Sequence, residues 1–281
     1  MSVRPGFLER HHFLFRRLHS LTGIVPIGLF LIMHLTTNSS IVWGMMNKRA
    51  DHYAANVGER GVATFQEEVT WINGLPGILL IEITLWVSIA YHAIFGVYYA
   101  RTGKFNTDRY RYQDNWRYML QRVTGYIALL FILYHVATLR WGWSFLVPGE
   151  TVWEHTKASS TLAAALRGSA SGDVTLGGVL VSIFYFIGVT SSVFHFANGL
   201  WTAAITWGVT VSAQAQKRWG VVCLGLGVGL MGMAWASIIG FATLDPKKAE
   251  AVELRMLDEA VEAVTPEAKP DGGPAGEGSG G

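Results

Sequence analysis

Charge is scarce in this sequence. Only 15% of its 281 residues are Asp, Glu, Lys or Arg, and 51% are hydrophobic. Soluble domains carry about 25% charged residues, so an ordinary water-soluble fold is excluded. Cysteine is nearly absent: Cys223 is the only one. One thiol cannot form an intrachain disulfide, hold a cysteine-ligated iron–sulfur cluster or make a C-x-x-C-H attachment, so any cofactor needs other ligands. The sequence also lacks a glycine-rich dinucleotide fingerprint and a nucleophile motif. The basic start, MSVRPGFLERHHFLFRRLHS, leads into an apolar run without a cleavage site, so no removable signal peptide is expected.

Long apolar runs are what the sequence does have. Five lie at 21–43, 76–100, 119–140, 176–208 and 219–243. About 20 apolar residues cross a bilayer as a helix, the form that satisfies its own backbone in lipid. The expected fold is therefore an all-α membrane protein with five transmembrane helices. The fourth run exceeds what a bilayer needs and should tilt or project. The fifth, with CLGLGVGLMGMAWA, carries small residues that let helices approach closely. Residues 1–245 read as one membrane domain and 246–281 as a polar, Gly-rich tail. Within that tail, 247–263 can form a short polar helix, and KPDGGPAGEGSGG is disordered by composition.

Basic residues orient the spans. Twelve lie on one side: Arg4, Arg10, Arg16, Arg17, Arg101, Lys104, Arg109, Arg111, Arg117, Arg122, Lys217 and Arg218. Six lie on the other: Lys48, Arg49, Arg60, Arg140, Lys157 and Arg167. The N-terminus is expected in the cytoplasm and the tail outside. The run RTGKFNTDRYRYQDNWR reads as a docking surface for a soluble protein rather than a nucleic-acid patch.

Four of the spans each contain a histidine: His34, His92, His135 and His195. Ionisable residues inside a membrane are costly and mark functional sites. Counting along alternating helices puts His34 and His135 in the outer half of the membrane. His92 and His195 fall in the inner half, at a level differing by about 15 Å at 1.5 Å per residue. Local motifs pair the same residues. Gly96 and Gly199 each follow the inner histidines by four positions, on the same helical face. Thr22-Gly23 and Thr124-Gly125 precede the outer ones by eleven and ten positions from the glycine. The gaps His34–His92 and His135–His195, 58 and 60 residues, fit a weak repeat of two two-helix units. Facing imidazoles in a bundle suit an iron with two axial ligands, so four of the spans are expected to form a di-haem bundle. His11, His12, His19, His52 and His155 read as solvated.

The stretches FRRLHSLTGIVPIGLFLIMHL, IEITLWVSIAYHAIFGVY, NWRYMLQRVTGYIALLFILYHV and SSVFHFANGLWTAAITWGVTV resemble the cytochrome b membrane anchor of succinate:quinone oxidoreductases, the single-chain, five-helix, two-haem type. They cover most of residues 14–211. The resemblance implies two haems b, a proximal one held by His92 and His195 and a distal one by His34 and His135. It implies a flavoprotein and an iron–sulfur subunit docked at the cytoplasmic face of a prokaryotic membrane. It also implies a quinone, menaquinone in two-haem members, as redox partner. Val193 stands where a related fumarate reductase anchor has a proton-moving glutamate, so that route is not implied here.

Other polar groups fit this reading. Ser20, Arg17 and Arg122 lie at the inner ends of the first and third spans, where haem propionates would need donors. Gly96 and Gly199 would leave packing space for a flat group. Glu82, in the outer half of the second span, reads either as a proton acceptor in quinone chemistry or as a carboxylate satisfied near its helix start. Glu67 and Glu68, in the loop before it, are alternative proton carriers. Two other function classes fit more loosely: the di-haem, quinol-oxidising anchor of another respiratory oxidoreductase, and a haem-free, proton-coupled transporter.

Overall fold

The computed structural model describes residues 6–102 and 113–264. Lys104, Arg109, Arg111, most of the basic run, Arg4 and residues 265–281 lie outside the described residues. Ten α-helices are present among the described residues: α1 (Phe7–Arg10), α2 (His12–Ile24), α3 (Pro26–Trp43), α4 (Val57–Asn73), α5 (Ile78–Thr102), α6 (Gln113–Leu139), α7 (Ala158–Arg167), α8 (Leu176–Thr206), α9 (Ala213–Thr243) and α10 (Pro246–Val264). Five spans are long and apolar enough to cross a membrane: His12–Met46, Ile78–Thr102, Asn115–Leu139, Leu176–Thr206 and Ala213–Thr243. The all-helical, five-span expectation holds.

The first span is α2 and α3 in series. Pro26 lacks an N–H, and its ring crowds the carbonyl four residues earlier, so the helix breaks at Val25 and restarts with Pro26 in its first turn. The central bundle closes through neighbours: α2 packs on α5 and α8, α5 on α6, and α6 on α8. The diagonal pairs are therefore α2/α3 with α6, and α5 with α8. The fifth span, α9, lies outside this square against α3 and α8. Glycines permit the tightest approaches. A Cβ on Gly28 would collide with Phe196, and one on Gly188 with the Phe131 ring.

A cap of three short helices covers the end of the bundle expected to be the outer one. The segment holding Glu67 and Glu68, expected as a loop, is helix α4. Asn56 starts it by accepting from the Glu59 amide (3.1 Å), and Glu59 reaches back to the Ala55 amide (3.0 Å). This reciprocal cap resembles a capping box. Val62, Phe65 and Val69 form its buried face. At the other end of the chain the short helix expected over 247–263 is present as Pro246–Val264, and it is docked on α4 and α7. The Asp245 carboxylate accepts from the Lys247 amide (3.0 Å), and Pro246 occupies the first position, both favoured at a helix start.

Helix α10 binds the cap through one carboxylate. Glu253 is 0% exposed. Its Oε1 accepts from the Ser159 and Ser160 amides (2.6 and 3.2 Å), and its Oε2 from the Ser160 hydroxyl (2.5 Å). Gln66 of α4 accepts from the adjacent Ala158 amide at 3.0 Å. Two side chains from distant sequence thus satisfy the N–H groups that open α7. Burial pushes the Glu253 carboxyl up from its ordinary pKa, and the Ser160 and Ser159 donors pull against that. Glu253→Ala should strand those amides at a cost of about 1–3 kcal/mol. The check is amide hydrogen exchange: Ser159 and Ser160 should exchange at least tenfold faster, with the transmembrane helices unchanged.

Candidate functional site

The four intramembrane histidines meet as two pairs. His34 of α3 faces His135 of α6, with ring centroids 5.7 Å apart and planes at 83°. His92 of α5 faces His195 of α8 at 6.0 Å and 87°. Each pair bridges a diagonal of the square, so its partners come from helices that do not pack on one another.

The inner pair is held by backbone. His92 Nδ1 lies 2.8 Å from the carbonyl of His19, and His195 Nδ1 lies 2.9 Å from that of Gln121. A carbonyl only accepts, so each Nδ1 carries the proton and each Nε2 keeps its lone pair. One turn beyond each carbonyl is a glycine. A Cβ on Gly23 would sit 2.5 Å from His92, and one on Gly125 would sit 2.9 Å from His195. The arrangement is duplicated: His19-x3-Gly23 on α2 backs the α5 imidazole as Gln121-x3-Gly125 on α6 backs the α8 imidazole. The Thr-Gly pairs are thus ring cradles of the inner pair.

The outer pair has its own duplicated backing. Phe30 stacks on His34 (5.2 Å, 21°), and Phe131 lies 5.6 Å from His135, each phenyl four residues before its histidine. The Tyr185 hydroxyl is 3.3 Å from His135 Nδ1. Tyr185 and His195 share a helix and are ten residues apart, so the levels differ by about 15 Å.

Other expected site residues take various places. A Cβ on Gly96 would lie 3.2 Å from the His19 ring, and one on Gly199 would lie 3.3 Å from Gln121 Nε2, so both glycines sit beside the backing residues rather than the imidazole pair. The Ser20 hydroxyl donates to the Arg17 carbonyl (2.9 Å) and accepts from Trp207 Nε1 (2.9 Å). The Arg17 guanidinium lies 5.7 Å from the same indole, and that of Arg122 lies 5.5 Å from Tyr118. Glu82 pairs with Arg140 at 2.8 Å. Glu67 is exposed; Glu68 is half-buried with Thr37 as a hydrogen-bond partner, and burial pushes its carboxyl up.

Five participants were not expected from the sequence. His19 is not solvated: it stacks on His92 at 4.0 Å and 14°. Gln121, Tyr185 and the Phe30/Phe131 pair were also overlooked. The i, i+4 spacing of the phenylalanines before His34 and His135 was available as a signal. The Gln121 role depends on a tertiary contact and had none.

The donor set is paired imidazoles alone. Among the described residues no three His, Cys, Asp or Glu side chains gather as a metal site. Two facing nitrogens suit an ion whose remaining ligands come from a planar chelate, as in haem. The fold and site thus define a polytopic helical membrane protein with two facing imidazole pairs, at two levels, in its core. No protein-family model matches the chain. Over 230 residues it is 35% identical to the succinate dehydrogenase cytochrome b558 subunit of Bacillus subtilis (strain 168), covering 82% of this chain and 96% of that protein. The chain belongs to the succinate dehydrogenase cytochrome b subunit family.

The glycine cradles make a specific demand. Gly125→Ala should push the His195 ring off the Gln121 carbonyl and cost about 1–3 kcal/mol, as overpacking does. Gly232→Ala, with open space around its Cβ position, should be neutral or slightly stabilising. Thermal unfolding of the purified protein in detergent, comparing the two variants, checks this.

Proposed function

We propose that this chain anchors a succinate dehydrogenase in the membrane and carries electrons between an iron–sulfur subunit and quinone through two bis-histidine haems b. His92 and His195 hold the proximal one, and His34 and His135 the distal one. The observation that carries the reading is the facing of imidazoles across both diagonals at 5.7 and 6.0 Å. Two imidazoles sharing one metal, each with Nε2 about 2 Å from it, have centroids about 6 Å apart. The Nδ1 bonds to His19 and Gln121 support it further. Metal-bound imidazoles commonly donate their other N–H to a carbonyl, which fixes tautomer and ring orientation.

When bound, each haem would supply one-electron exchange, with the paired histidines as the residues that would hold it. The protein's own contribution is to hold and insulate. Gly23 and Gly125 let the inner rings stand close against their backing helices. Phe30 and Phe131 wall the outer pair. Ser20, Arg17 and Arg122, at the inner end of the bundle, are the residues that would receive propionates in this reading. Gly96 and Gly199 lend their space to the backing residues His19 and Gln121.

The basic excess at that end supports a cytoplasmic position for it; in this reading the cell is prokaryotic, and a flavoprotein and an iron–sulfur subunit dock there. The fumarate–succinate chemistry belongs to those partners; this chain has no motif for it. Quinone, menaquinone in this reading, reacts near the outer pair. Glu82, paired with Arg140, and Glu68, beside Thr37, are the carboxylates positioned to exchange its protons.

A reduced-minus-oxidised spectrum of the purified complex should show haem b bands. His195→Ala and His92→Ala should each remove one haem, the same one, and stop electron transfer from succinate. His34→Ala and His135→Ala should each remove the other. Loss of one common component in His34→Ala and His92→Ala would contradict the pairing. Absence of haem bands in the native complex would favour a proton-relaying transporter.

A further inference from the structure

The inner imidazoles have corresponding backing segments, yet what stands behind them differs. One turn behind His92 the groups are aromatic. Phe15, four residues before His19, stacks on Phe95, three after His92 (5.1 Å, 11°), and Tyr91 packs on Phe95 at 4.5 Å. The corresponding positions behind His195 are Arg117, four before Gln121, and Asn198, three after His195. They form a hydrogen-bonded chain. Arg117 Nε donates to Asn198 Oδ1 at 2.9 Å. Asn198 Nδ2 donates to Gln121 Oε1 at 2.8 Å. Gln121 Nε2 donates to the His195 carbonyl at 3.0 Å, and the Gln121 carbonyl receives the imidazole proton. Asn198 is 5% exposed. The guanidinium is pinned over Trp201, 3.8 Å from its ring, and Trp201 Nε1 is fixed on the Gln216 carbonyl at 3.0 Å.

We propose that Arg117, Asn198 and Gln121 are positioning residues that lock His195 and that the fixed charge of Arg117 favours the reduced state of the proximal centre beyond what its two imidazoles alone would give. This rests on the haem ligation proposed above. A fixed cation favours whichever redox state carries less positive charge, here the reduced one, and it acts strongly where dielectric screening is weak. Hydrogen bonds behind a ligand tune the metal it holds. The outer pair has Phe30, Phe131 and Tyr185 at its back and no such chain among the described residues.

The test is a redox titration of the purified complex, following each haem optically. The proximal component is identified as the one missing in His195→Ala. In Arg117→Gln the proximal reduced-to-oxidised ratio at fixed potential should fall about tenfold, equivalent to 59 mV for one electron. The distal ratio should stay within about twofold. Arg117→Lys keeps the charge and should remain within about threefold of the native ratio. Asn198→Asp sets a carboxylate against the guanidinium and should reproduce the Arg117→Gln shift. It decides the matter if Arg117→Gln fails to load haem. An unchanged proximal ratio in a loaded Arg117→Gln or Asn198→Asp, or equal shifts of both haems, would overturn the inference while leaving the ligation intact. Native complex without haem b bands would instead remove the ligation reading, and this inference with it.

Discussion

An imidazole in a lipid-embedded helix bundle must have its polar atoms answered by protein or by a ligand. In this chain that constraint organises the core. Each inner ring uses one nitrogen on a backbone carbonyl of a neighbouring helix, which turns the other toward its counterpart across the bundle. A carbonyl inside a helix is already engaged, so a second donor reaches it only at close approach. Gly23 and Gly125 permit that approach by removing the side chain that would fill the space. Ring orientation, helix spacing and glycine placement are therefore one arrangement seen from three sides.

The duplication of that arrangement gives the bundle its two levels. The first unit is α2/α3 with α5, and the second is α6 with α8. In each, a residue at the inner end backs the other helix's histidine, and a phenylalanine-histidine pair closes the outer end. The units are not identical. Pro26 breaks the first helix, whereas α6 is continuous. Aromatic stacking backs His92, and a polar chain backs His195. The outer cap lies outside this symmetry. It is assembled from α4, α7 and α10, segments far apart in sequence, and is joined by Glu253, Gln66 and the Lys157–Glu250 ion pair at 2.7 Å.

Much of this was legible in the sequence, for identifiable reasons. The spans declare themselves because lipid demands unbroken apolarity over the whole crossing. The pairing of His34 with His135, and of His92 with His195, follows from counting rise per residue along alternating helices. The cap was not legible as a unit. Its helices are short and mixed in composition, and what joins them is tertiary capping. Helix α4 did carry a local sign in Asn56 and Glu59, and α10 in Asp245-Pro246, yet neither reveals its partners. His19 was misplaced because a histidine near the end of a span looks like an interfacial group; only the fold brings α2 against α5 and sets its ring on His92. The Thr-Gly pairs mark the repeat in the sequence, but the contact their glycines make is with the inner rings, which lie on other helices.

The central claim is that two separate centres, each gripped by a pair of imidazoles, lie at different depths in one chain. Haem content per chain tests it most directly. Pyridine haemochrome analysis of the purified complex, set against quantitative protein determination, should give two haems b for each copy of this subunit. A value of one, or none, would contradict the account.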